Sequence, residues 1–172
     1  LTMEELANKY HNRVASRIIG SYSIKKFCGN DVRQQKKIEE FNNGIIITTQ
    51  DTHETNYMET PEGKNLPVAH CVEKTYGWCI HDDLDEVDYL HIDKEYFGYN
   101  AWDLWIDFDV TNIEIVGLCT DICVVSNALM AKARFYNECE IAVDSSCCAG
   151  VTPESHEAAL QTMRMCQIDV VE

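Results

Sequence analysis

Short runs rich in β-branched and aliphatic residues return along this chain at 45–49, 87–92, 113–118, 141–143 and 168–171, and several are separated by stretches with helical spacing. Strands that alternate with helices pair in parallel, because each return to the sheet needs a long crossover. The chain is therefore expected to be α/β, with a mainly parallel sheet covered by helices on both faces. Sites in such folds gather outside the carboxyl ends of the strands.

Three helices stand out. Residues 31–43 place Val32, Gln35, Ile38 and Phe41 at helical spacing and stop at Gly44. Residues 121–137 follow a strand directly and set Ile122, Val125, Ala128, Leu129 and Ala133 on one side. A third opens at Thr152-Pro153-Glu154, with a hydroxyl cap, proline in the first turn and an acid at the positive dipole end. Near the start, 3–14 has a helical pattern and 18–27 reads as a strand.

A length of 172 residues suits one domain. With 29 acidic against 14 basic side chains the net charge is −15, which repels nucleic acid and anionic membrane surfaces. The apolar runs, such as those at 45–47 and 141–143, are far too short to span a bilayer. Nine cysteines are an odd number, and no export signal pattern opens the chain, so a reducing, cytoplasmic setting is expected. The first 31 residues are net basic, with Lys9, Arg13, Arg17, Lys25 and Lys26 against Glu4, Glu5 and Asp31, whereas the remainder is strongly acidic.

Three segments at strand ends carry possible chemistry. In the first, the strand at 113–118 runs into Cys119-Thr120-Asp121-Ile122-Cys123 and then a helix. A cysteine in a helix's first turn meets unpaired N–H groups and the positive dipole end, which favour thiolate and can also hold an oxyanion. Ordinary packing cysteines would look the same locally. In the second, Asp51 and His53 follow the first strand, with Glu62 and His70 beyond. Alternate residues of an extended chain share a side, so Asp51 and His53 can share a divalent ion with open positions. A capping aspartate and surface imidazoles are the plainer alternative. The third is Lys94, at the end of the second strand, where an ammonium can stabilise a thiolate. All three would lie on the one sheet edge that builds sites.

With these motifs in order, the chain resembles the isochorismatase-like cysteine hydrolases, in particular the nicotinamidase and pyrazinamidase group. The strongest pieces are TTQDTHETNYMETPEGKNLPVAHC (48–71), Gly77-Trp78, the Lys94 segment, VGLCTDICVVSNAL (116–129) and VDSSCCAGVTPESHEAAL (143–160). The resemblance implies a single three-layer α/β/α domain over 1–172, atypical only in residues 1–31. It implies hydrolysis of a small aromatic carboxamide, nicotinamide above all, to the acid and ammonia. Cys123 would be the nucleophile, Lys94 the active-site lysine, and the N–H groups of Cys119 and Cys123 the oxyanion hole, beside a cis peptide between Leu118 and Cys119. Asp51, His53 and His70, with Glu62 as a fourth, would ligate zinc, iron or manganese, which holds the pyridine nitrogen beside the cysteine. Phe97 would be an aromatic wall. Several members assemble as dimers or tetramers, so a homo-oligomer is a further expectation.

One family feature is missing. The aspartate that ends the family's first strand, and that shuttles the proton, should fall near residues 9–11, where the sequence reads Lys-Tyr-His. Three accounts stand: residues 1–31 are foreign to the fold, as after an altered reading frame; or the strand at 18–27 stands in, with Asp31 beyond it; or the chain is a catalytically impaired relative that binds a metal and a small molecule. No catalytic role is given to Asp31. A thiol redox protein, suggested by Cys147-Cys148, is the remaining alternative, against which adjacent cysteines rarely bridge without strain.

Overall fold

The computed structural model describes residues 44–80, 88–106, 110–135 and 139–172. The expected helices at 3–14 and 31–43 and the strand at 18–27 lie outside the described residues. Two compact units divide the chain, Leu1–Glu95 and Tyr96–Glu172.

In the first unit, β1 (Ile47–Asp51) pairs in parallel with β2 (Leu90–Lys94), in a register that sets Asp51 against Lys94. Both strands begin and end later than hydrophobicity predicts. Their polar carboxyl ends, Gln50-Asp51 and Asp93-Lys94, belong to the ladder, because backbone pairing continues through them and the Lys94 ammonium neutralises Asp51. Between the strands, a 3-10 turn (Tyr57–Glu59) leads into α1 (Pro61–Asn65), capped by Thr60, whose hydroxyl accepts from the Gly63 N–H at 3.0 Å. Gly63 is required there, since a Cβ would fall on the Tyr57 carbonyl oxygen.

The second unit is a βαβαβ run. β3 (Asn112–Leu118), β4 (Glu140–Ala149) and β5 (Asp169–Val171) form a parallel sheet in that order, with β4 central. β3 passes through a five-residue π-helical turn (Thr120–Val124) into α2 (Val125–Phe135), and β4 passes into α3 (Pro153–Met165). Ile141, Val143, Ala128, Leu160 and Met163 are fully buried where α2 and α3 cover the sheet. This is the expected α/β organisation with parallel pairing. β4 runs well past the apolar 141–143, and its register against β3 shifts between Ile115 and Gly117, where Gly117 takes a φ of +133° that favours glycine.

The helix after β3 is phased differently from its apolar pattern. Its buried residues are Cys123, Val124, Asn127, Ala128, Ala131 and Phe135, whereas Ile122, Val125 and Leu129 are half-buried and Ala133 exposed. A π turn holds more residues than an α turn, so it rotates the face that follows relative to an uninterrupted helix. Asn127 thus lies inside, where a hydrophobic stripe does not show it.

α3 begins as its sequence requires: Thr152 and Ser155 form a reciprocal capping box. Thr152→Ala is expected to cost about 1 kcal/mol, lowering the melting temperature by about 2–4 °C in a domain of this size. A thermal melt showing no shift would contradict the cap's contribution. Among the described residues, no helix is long and apolar enough to cross a membrane.

Candidate active site

The first unit gathers the four residues expected to hold a metal. Ligand atoms of Asp51, His53 and His70 all lie within 4.8 Å of one another. Glu62 Oε1 stands 3.5 Å from His70 Nε2 and 3.8 Å from His53 Nε2. Local structure explains the convergence. Asp51 ends β1, and His53 is held two residues on by a parallel bridge to the strip just after His70: the His53 N–H donates to Cys71 O and the Glu73 N–H to His53 O, each at 2.9 Å. Glu62 projects from the first turn of α1.

The tautomer of His70 follows from its partner. A carbonyl oxygen only accepts, so at 3.0 Å from Val68 O the Nδ1 carries a proton and donates it. In the neutral ring Nε2 is then a lone pair, and it faces an anionic Glu62 oxygen. Two acceptors turned toward each other are what a cation between them satisfies, and a ligating histidine whose other nitrogen donates to a backbone carbonyl is the usual supporting arrangement. Two imidazoles with one or two carboxylates suit zinc, and equally iron with open positions. The residues present therefore fit a divalent metal.

Tyr57 supports this cluster and was not found from the sequence. Its ring is fully buried, 4.9 Å from each of the His53 and His70 rings, and its hydroxyl donates to Leu66 O at 3.0 Å. The only available signal was its place inside the motif between the two histidines. Tyr57→Ala is expected to destabilise the protein by about 3–5 kcal/mol through lost packing, and Tyr57→Phe by about 1 kcal/mol through one lost hydrogen bond. Urea titration of both variants checks the order.

Lys94 is buried and ion-paired with Asp51, one of the candidate ligands. On the opposite face of β1, Thr52 Oγ1 accepts from the Trp78 indole N–H at 2.9 Å and Gln50 donates to Trp78 O, so the Gly77-Trp78 motif braces the strand.

The second unit holds Cys119 and Cys123. The peptide between Leu118 and Cys119 is cis, as the resemblance implies. Cys119 caps the π turn, and its carbonyl accepts from the Ile122 and Val124 N–H groups at 3.1 and 3.0 Å. Cys119 and Cys123 are both buried. The turn is fastened to the start of α3: Asp121 accepts from the Val151 N–H at 2.9 Å and from Ser155 Oγ, and Thr120 Oγ1 meets His156 Nδ1 at 2.8 Å. Phe97 is substantially exposed in the segment after β2. Further along that segment, the Arg134 guanidinium, hydrogen-bonded to Asp103, holds its carboxyl below the usual carboxylate range.

Acid and imidazole side chains at one strand's carboxyl end, and a cysteine turn at another's, stand where α/β folds carry their sites. The isochorismatase domain family model matches residues 30–172, and this chain belongs to the isochorismatase family. The match begins beside the change of charge near residue 31. A nicotinamidase of Schizosaccharomyces pombe is 27% identical over 164 residues, covering 73% of this chain and 73% of its own. The crystal structure of a nicotinamidase/pyrazinamidase from Bacillus subtilis matches with a TM-score of 0.67 at 22% identity, over 89% of this chain and 87% of that one. The pyrazinamidase of Pyrococcus horikoshii, solved in complex with zinc, matches with a TM-score of 0.66 at 25% identity, over 82% and 83% of the two chains. The fold is that of the isochorismatase-like hydrolases, and the protein is an enzyme of that family.

Proposed function

We propose that the protein is an amidohydrolase that converts nicotinamide, or a small aromatic carboxamide like it, to the carboxylic acid and ammonia. The observation that carries this reading is the convergence of Asp51, His53, Glu62 and His70 beside Lys94, in a chain whose relatives include nicotinamidases. A cysteine at position 123 supports attack on an amide carbon.

In this scheme the Cys123 sulfur adds to the carboxamide carbon and the carbonyl electron pair moves to oxygen, held by the N–H groups of Cys119 and Cys123. Collapse expels the nitrogen, which leaves as ammonia with the proton that the thiol gave up. Water then adds to the thioester, releasing the acid and restoring the thiol. An ammonium such as that of Lys94 favours the ionised form of a thiol, and Phe97 offers a face to the ring. Asp51, His53, Glu62 and His70 would hold the metal, zinc in this proposal. When bound, such an ion supplies a Lewis-acidic position that orients a substrate heteroatom.

The test is ammonia release from nicotinamide, pyrazinamide and benzamide by the zinc-loaded protein. Turnover of the two ring-nitrogen amides, with benzamide much slower, is expected. Binding of nicotinamide without ammonia release would replace this reading with that of a non-catalytic binder, which the missing first-strand aspartate favours.

A further inference from the structure

Asn127 is a buried amide with every polar atom engaged on backbone. Its Oδ1 accepts from the Tyr99 N–H at 2.9 Å, and its Nδ2 donates to Phe97 O at 3.1 Å and to Cys123 O at 2.8 Å. One side chain therefore grips the main chain on both sides of Gly98 and, one turn back along its own helix, the carbonyl of Cys123. Only a carboxamide offers an acceptor and two donors in one rigid plane, so serine, threonine or aspartate cannot repeat the pattern.

The contact is close as well as polar. A Cβ on Gly98 would fall 2.6 Å from Met130 Sδ and 3.3 Å from Ser126 Cβ, so the 97–99 segment lies directly on α2. A turn further on, Arg134 holds Asp103 at 2.7 Å. Asn127, Met130 and Arg134 are spaced three and four apart, which makes one helix face a dock for the segment that follows β2.

We propose that Asn127 is a positioning residue that fixes the Phe97 ring relative to the turn bearing Cys123 and so sets the fit of the substrate's aromatic ring. This role rests on the amide-hydrolysis reading above. The nucleophile's turn has its own backbone ladder and its ties to α3, whereas the main chain of residues 97–99 is held on α2 by Asn127, the Tyr99 side chain meeting Trp102 and Trp105 further along its own segment. Loss of the amide should therefore weaken ring binding more than it slows the chemistry.

The experiment uses the full chain loaded with zinc and nicotinamide as substrate. Asn127→Ala is expected to raise KM by about 10-fold or more with kcat changed by less than about 3-fold, as befits loss of buried hydrogen bonds that act on binding. Hydrogen exchange at the Tyr99 amide should be protected in the parent and fast in the variant. In a Phe97→Ala background the KM effect of Asn127→Ala should largely vanish, because the two act through one ring. Gly98→Val should raise KM in the same way, and adding Met130→Ala should restore it by making room. A plain structural brace predicts a lower melting temperature with KM unchanged. A folded Asn127→Ala enzyme with parental KM overturns the role, and so does a protected Tyr99 amide in that variant. If that variant does not fold, unchanged KM in Gly98→Val overturns it. A parent protein that hydrolyses none of the amides overturns the amide reading, and the role with it, whereas an active parent with an indifferent variant removes the role alone.

Discussion

Cys123→Ala should abolish ammonia release from nicotinamide, lowering kcat by about 10⁴-fold or more, because loss of a covalent nucleophile removes the route itself and not one contribution to it. The variant should still fold, since exchanging a buried thiol for a methyl group removes one atom from a site shaped by backbone. Its circular dichroism and melting curve should stay close to the parent's. Cys123→Ser should be nearly as inactive, because a hydroxyl in the same place is far less ionised than a thiol. Acid-quenched mass spectrometry should catch an acyl group on Cys123 in the parent and not in either variant. Full activity in Cys123→Ala would end the cysteine-hydrolase reading, while parental binding without turnover in every form would favour the non-catalytic one.

Removing the metal should have the second largest effect. Dialysis against a chelator is expected to lower activity by about 100-fold or more, with recovery on adding one equivalent of zinc per chain. His70→Ala should bind zinc at least about 100-fold more weakly, since losing even the hydrogen-bond support of a ligand costs about 10–100-fold. Glu62→Gln should weaken it less, because the amide oxygen can still coordinate and only its negative charge is gone. Elemental analysis of purified protein and competition with a chromophoric chelator read these effects without reference to turnover. Parental zinc affinity in His70→Ala would remove His70 from the ligand set. Iron or manganese recovering activity better than zinc would change the ion and leave the ligands.

Much of the candidate site could be read from residue order. Asp51, His53, Glu62 and His70 are a known chemical set within a short stretch, and they do converge, because the strip after His70 bridges back to His53. The cis bond before Cys119 was legible only through the family motif around it. The capping of α3 was legible from three consecutive residues, since a hydroxyl, a proline and an acid each act within one turn.

Other features were hidden for stated physical reasons. Tyr57 reads as one more aromatic until its ring is found between two imidazoles. The ends of β1 and β2 were set too early, because polar residues in a ladder look like loop until the charge pair between Asp51 and Lys94 is seen. Asn127 was missed because the π turn after Cys119 shifts the inner face of α2, so that a polar residue falls where simple periodicity expects an outward one.

The amino-acid sequence alone determined the α/β class, the family and the chemical types of the candidate site residues, since these depend on local spacing and on motifs that are contiguous in the chain. Which side chains share a partner was decided by tertiary structure. Asp51 acquires its ion pair from Lys94, and residues 97–99 their anchor on α2 from Asn127. Hydrogen bonds and ion pairs depend on distance and angle in three dimensions, and residues dozens of positions apart acquire those only when strands and helices pack.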